Sequence, residues 1–128
     1  MTLSEFQKSG KSLSIYSGTE EIFSSDKDAL EPLVEFIQSD ATYENLVIFD
    51  KYIGRAAAML MTLINPQKVY TPIISQFGRE VLQNKSIRYE AEKEVEFLMG
   101  VASDSMCRWE KISVGKTAED LLEMLKKR

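Results

Sequence analysis

The 128-residue chain contains no histidine. That absence excludes Ser-His-Asp and Cys-His catalysis, imidazole metal ligation and any histidine-based pH switch. Cysteine is almost as scarce. Cys107 stands alone, which excludes an internal disulfide and every multi-cysteine zinc site, and suits a reducing compartment. No paired-carboxylate or D-x-D-x-D spacing suggests a metal, so neither metal nor cofactor is expected. A basic excess is also missing: 16 Lys and Arg stand against 20 Asp and Glu, a net charge of −4. Partners that need a basic face, nucleic acid and anionic membrane, are therefore not expected. The longest apolar stretch, Ala56 to Ile64, is about half of the ~20 residues that span a bilayer. The opening Met1-Thr2-Leu3-Ser4-Glu5 carries an acid and no apolar core, unlike a secretory signal. The expected location is the cytoplasm.

What is present is enough for a packed core. With 44% hydrophobic and 28% charged residues, the composition is that of an ordered globular chain. Its length fits one domain over residues 1–128, burying roughly two-thirds of the unfolded surface.

The pattern along the chain alternates between periods. Thr2-Leu3-Ser4-Glu5 is a capping box opening a short helix to about Gly10. Ser12–Ser17 sets Leu13 and Ile15 on one face and Ser14 and Tyr16 on the other, a half-buried strand. Gly18-Thr19 suits a type II′ turn, and Glu20–Ser24 returns as the partner strand. Asp28–Gln38 reads as a helix with Leu30, Leu33, Val34 and Ile37 on one stripe and Pro32 near its first turn. Leu46–Phe49 is a continuous apolar run, the mark of a strand covered on both faces. Gly54–Ile64 is apolar almost all round and predicts a buried helix that Asn65-Pro66 ends. Further elements are expected at Lys68–Thr71 (strand), Ser75–Leu82 (helix) and Ile87–Glu90 (strand). Thr117-Ala118-Glu119-Asp120 opens a last amphipathic helix with Leu121, Leu122 and Leu125. Ala91–Gly100 fits neither period. Strands alternating with helices after an opening hairpin predict a three-layer α/β/α sandwich, mostly parallel beyond the hairpin.

In such sheets ligands bind beyond the carboxyl ends of strands. That directs attention to Ser24–Asp28, Asp50–Arg55, Thr71–Ser75 and Glu90–Ala91. The most informative segment is Asp50-Lys51-Tyr52-Ile53-Gly54-Arg55-Ala56-Ala57. A buried strand delivers an acid and a base to its edge, Gly54 permits a tight turn, and the following helix start favours an anion. Arg55 in that first turn is locally unfavourable by up to ~1 kcal/mol unless something offsets it. Ser24-Ser25-Asp26 leads into the preceding helix, so Ser24 and Ser25 open into the same crevice if the two helices flank adjacent strand ends. The competing reading makes Asp50 a cap, Ser24 and Ser25 turn residues, and Arg55 a solvated side chain. Cys107, beside Met106 and Trp109, is either a small buried apolar residue or a nucleophile whose thiolate needs Arg108, Lys51 or a helix N-terminus. Glu110 could act as an acid or base if buried, whereas Glu92, Glu94, Glu119 and Glu123 read as solvated faces. Gly78 inside a helix costs roughly 1 kcal/mol against Ala and implies close packing or close backbone approach to a ligand.

Several of these residues carry a resemblance. Phe23-Ser24-Ser25, Pro32-Leu33, Asp50-Lys51-x-x-Gly54-Arg55-Ala56-Ala57, Val69-Tyr70, Tyr89-Glu90 and Cys107-x-x-Glu110 resemble a small prokaryotic family of unknown function with a cytidine-deaminase-like fold. The resemblance covers about residues 11 to 112. Arg55 replaces a Lys of that pattern, and Cys107-Arg108-Trp109-Glu110 replaces Cys-Pro-Met-Glu. It implies that the first two helix starts after the hairpin meet at the deaminase site. In zinc deaminases those starts carry H-x-E and P-C-x-x-C. Here they carry Ser24–Asp28 and Asp50–Gly54, so the fold can be shared while zinc-activated water is not.

Two functions follow as expectations. In the first, a small anionic or nucleotide-like molecule binds where Asp50 accepts its hydrogen bonds and Lys51 and Arg55 meet its charge. Ser24, Ser25 and Gly54 shape that site, with Cys107 and Glu110 completing it. Any catalysis would then fall to Asp50, Lys51 or Cys107. In the second, the chain is a non-catalytic regulatory or homo-oligomerising protein on a degenerate deaminase scaffold, using the Gly54–Ile64 helix and the Leu121/Leu122/Leu125 stripe.

Overall fold

A computed structural model describes residues 2–27, 30–39, 43–96 and 112–126. Helix α1 (Leu3–Ser9) is capped by reciprocal bonds between Thr2 and Glu5 and ends at Gly10 with φ 76°. Strands β1 (Leu13–Ser17) and β2 (Glu20–Ser25) pair antiparallel. The two residues between them include Gly18 at φ 62°, a conformation that favours glycine. Helix α2 spans Glu31–Gln38. It starts later than the periodicity suggests, because Pro32 lacks an N–H and fits only the first turn. Asp28 and Ala29 lie outside the described residues.

Strand β3 (Leu46–Asp50) is followed by a two-residue strand, β4 (Tyr52–Ile53), and helix α3 (Arg55–Met61). Strand β5 (Lys68–Ser75), helix α4 (Gln76–Asn84), strand β6 (Arg88–Val95) and helix α5 (Ala118–Lys126) complete the described elements. The result is a mixed α/β fold with a six-stranded mixed sheet and, among the described residues, five helices. The order runs β2-β1-β3-β5-β6, with β4 continuing β3 along the same edge of β5. β3 is antiparallel to β1, and every pairing made by β5 is parallel.

Two strands run further than the sequence pattern indicates. β5 continues through Thr71–Ser75, and β6 continues through Glu90–Ala91 to Val95. Both segments are strand interior and not ligand loops. The reason lies partly in Pro72, which normally stops a central strand. Here it falls opposite the break between β3 and β4, and the register with β6 likewise passes from Thr71 to Ile73 without it. In β6 the exposed charges Arg88, Glu90, Glu92, Lys93 and Glu94 hide the alternation, as is common for a strand that blunts a sheet edge.

Alternate strand residues divide the core. Leu13, Ile15, Ile48 and Val69 share one buried cluster with Leu33, Val34 and Phe36 of α2, all of Ala56–Met61 in α3, Leu82 of α4, and Leu121 and Leu125 of α5. The nearly all-apolar α3 is thus a central helix, contacting α2, α4 and α5. On the other face, Phe6 of α1 meets Phe49, which stacks on Tyr70 at 4.8 Å and contacts Tyr16 edge-on. α3 ends at Met61 with Thr62 as its C-cap, short of the expected Gly54–Ile64; hydrogen-bonded turns follow through Ile64, and Asn65, at φ 46°, redirects the chain toward β5. No helix of the described residues is long and apolar enough to cross a membrane.

Candidate functional site

The centre of the sheet is interrupted at Asp50–Lys51. Val47 faces Lys68 on β5 and Tyr52 faces Ile73, so β3 and β4 hold the same register on either side of the gap. That register sets Asp50 beside Thr71 and Lys51 beside Pro72. Proline cannot donate to a ladder, while on the other side the Lys51 N–H continues the pairing with β1, donating to the Ser12 carbonyl at 3.0 Å. The hydroxyl of Thr71, fully buried, closes on the backbone of Ile73.

Asp50 occupies this gap on the helix-bearing face. Burial pushes its carboxyl up to about 8, against the backbone N–H groups of Tyr52 and Lys51, which favour the charged form. Among the described residues it belongs to no ion pair. A carboxyl held so close to neutrality can give or accept a hydrogen bond, the property asked of an acid–base group or a polar anchor.

Around it, the turn into α3 is built by backbone proximity. Gly54 is extended and offers no capping side chain. Gly78, in the first turn of α4, lies so close that an added Cβ would sit 3.0 Å from the carbonyl oxygens of Ile53 and Gly54. Close packing, and no ligand, therefore explains this glycine. The preceding Phe77 takes the guanidinium of Arg55 over its ring at 4.4 Å. That contact offsets the poor placement of a cation in the first turn of α3. Arg55 is accordingly half-buried and does not simply reach water. Lys51 is exposed, its ammonium 5.4 Å from the Tyr52 ring.

The predicted site residues are only partly brought together. Leu13 pairs with both Ser25 and Asp50, so those two share one face and one row, roughly 10 Å apart across β1. Ser14 pairs with both Ser24 and Phe49, which sends Ser24 to the opposite face. Ser24 is exposed, and Ser25 accepts from the Lys27 N–H in a local turn. Both serines line a shallow pocket of about 350 Å³ with Ser9, Gly10, Lys11 and Asp26. Alternation along β2 separates the pair, a consequence of Phe23-Ser24-Ser25 being strand and not loop. Cys107 and Glu110 lie outside the described residues. Sequence reasoning pointed to Thr71 only as part of a loop and missed Phe77 and Ser12, the last of which bonds to Ser25, Lys27 and Lys51 and ties the strand ends together. Nothing in their local sequence marks them, since their roles arise from pairing. Among the described residues no group of three or more His, Cys, Asp or Glu side chains is placed to hold a metal.

A family model matches residues 2–127, nearly the whole chain: TM1506, a domain of unknown function (DUF1893). The chain belongs to the DUF1893 family. Family membership thus reaches beyond residues 11–112 to take in α1 and α5. The crystal structure of a DUF1893 family protein (TM1506) from Thermotoga maritima, at 2.70 Å resolution, is similar over 98% of this chain and 85% of that one, with a TM-score of 0.87 and 26% identity. No curated protein matches the sequence.

Proposed function

We propose that this DUF1893 protein binds a small anionic or nucleotide-like molecule at the gap between β3 and β4. The observation that carries this reading is the half-buried carboxyl of Asp50 at the break between β3 and β4, held above the ordinary carboxylate range and without an ion-pair partner among the described residues. A folding-only role is poorly served by a carboxyl that burial disfavours in its charged form. In this reading Asp50 exchanges hydrogen bonds with the polar edge of the ligand. Lys51 and Arg55 supply positive charge on either side of the Gly54 turn, and Ser25 sits on the same face. If a reaction follows, Asp50 or Lys51 carries the proton, with Cys107 and Glu110 as further candidates. Ser24 faces away and belongs to the neighbouring pocket.

The scaffold proposed for it is a three-layer sandwich of cytidine-deaminase type. In its favour, an antiparallel pair is followed by αβ units, helices α2–α5 share one core, and α1 reaches the second face. The alternative is a regulatory or oligomerising protein. It draws less support, because Ala56–Met61 and Leu121 and Leu125 are occupied by the core.

Thermal unfolding against a panel of nucleosides, nucleotides and simple organic anions tests the reading. A ligand present at 100 times its Kd stabilises by about 2.7 kcal/mol. The expected result is a stabilising hit that Asp50→Asn and Lys51→Met weaken. A hit unaffected by either substitution, or no hit across the panel, overturns the assignment.

A further inference from the structure

The second face of the sheet carries a feature that the Asp50 site does not use. Ser24, Ser14, Phe49 and Tyr70 stand in one row across β2, β1, β3 and β5. Ser24 is exposed, yet Ser14 beside it is fully buried. Its Oγ finds no hydrogen-bond partner among the described residues, an uncommon and costly state for a buried hydroxyl. The described helix that reaches this end of the face is α1.

α1 is held there lightly. Phe6, against Phe49, is its one fully buried side chain, and Leu3 is half-buried while its other side chains face water. The N–H groups of Thr2 and Glu5 are satisfied within the helix's own capping box and make no bond to the sheet. A seven-residue helix has little stability of its own, so among the described residues its closed position rests chiefly on one aromatic ring. The chain is fixed to the sheet again at Ser12, whose N–H donates to Ser25. Between the two stands Gly10, at φ 76° with open space around it, followed by Lys11, tied to Glu21 by a half-exposed ion pair. Pairs of that kind contribute little. The pocket lined by Ser9, Gly10, Lys11 and Ser24 lies at this hinge.

We propose that α1 is a hinged strap that lifts about Gly10 while the sheet stays intact. Lifting joins the hinge pocket to the Ser24–Ser14–Phe49 row and lets Ser14 acquire the hydrogen-bond partner it lacks. The row then adds the Ser14 hydroxyl and an aromatic floor, both hidden on closure, to the exposed hydroxyl of Ser24. This is independent of the Asp50 reading and stands or falls separately.

The test is thiol labelling of Ser14→Cys in the full chain, with Cys107→Ser to silence the native thiol, across a urea series. The expected result is labelling at a rate flat at low urea, joining global unfolding only near the transition. Adding Phe6→Ala then speeds the low-urea rate about 10- to 100-fold, since it removes the anchoring ring. Labelling that follows global unfolding at every urea concentration overturns the strap. Should Ser14→Cys fail to fold, amide exchange of the unmodified chain decides. The α1 amides must exchange through a urea-insensitive opening while those of Ile15 and Ile48 follow global unfolding, and exchange of both sets together overturns the proposal.

Discussion

Asp50–Lys51 and Met59–Leu60–Met61 lie within a dozen residues of each other, yet they solve opposite problems. The α3 segment is apolar, buried on every side and packed against α2, α4 and α5. The Asp50 segment separates β3 from β4 beside an unbroken β5 and carries a half-buried carboxyl that burial pushes to about 8. The first region contributes folding free energy. The second consumes some of it, and such local conflicts concentrate at functional sites.

The sharpest contrast comes from the core. Leu60 is fully buried in the central cluster, so Leu60→Ala is expected to destabilise the chain by about 2–5 kcal/mol through lost burial and a residual cavity. Equilibrium urea denaturation measures it. A loss under 1 kcal/mol would mean that α3 is not the anchor of the fold.

Gly78→Ala comes next, because it strains the junction between the two regions. The added Cβ meets backbone oxygens of Ile53 and Gly54 at 3.0 Å, and backbone cannot step aside as a flexible side chain can. A cost of about 1–3 kcal/mol is expected, typical of overpacking, despite alanine's better helix propensity. If the variant proves more stable than the parent, α4 does not dock on the α3 turn as described.

The same contrast explains what could be read from the sequence. Gly54–Ile64 announces itself as buried because every face is apolar, and Thr2–Glu5 and Thr117–Asp120 announce helix starts through caps that the structure contains. Burial and capping are local consequences of residue type. The Asp50 gap is different. Its position in the block was legible, but its cause, Pro72 and Thr71 on another strand, depends on register that no window of sequence holds. The two-residue β4 is too short for any periodicity. Ser24 and Ser25 were grouped because they are neighbours in sequence, and strand alternation parted them.

Asp50→Asn should act in the opposite direction to the core substitutions. An acid whose folded pKa is raised binds more protons folded than unfolded. Its contribution is therefore complete below the ordinary carboxylate range and is lost as pH rises from about 4 towards 8. The parent should lose stability over that window, and Asp50→Asn should flatten the decline, gaining on the order of 1–2 kcal/mol at pH 8. Urea midpoints at pH 5, 6.5 and 8 make the comparison. Parallel profiles for parent and variant would show that the carboxyl is well solvated in the folded chain.

Lys51→Met carries the smallest expected stability change and the most selective functional one. The ammonium is exposed and lies 5.4 Å from the ring of Tyr52, itself half-exposed at 50%. A cation over a ring in water is worth about 0.5–1 kcal/mol, and the methionine retains apolar contact with that ring, so the net change should stay within about 0.5 kcal/mol. Ligand binding should respond far more if the gap takes an anion. Removing one positive charge weakens the complex, and the difference between parent and variant shrinks as salt rises, because exposed charges are screened over about 8–10 Å at physiological strength. Titrating an anionic hit from the thermal panel at 20 and 300 mM salt, beside urea denaturation of both proteins, separates the two roles. Affinity intact at both salt concentrations with stability reduced by more than 1 kcal/mol would make Lys51 a structural residue and leave Arg55 as the one cation assigned to the gap.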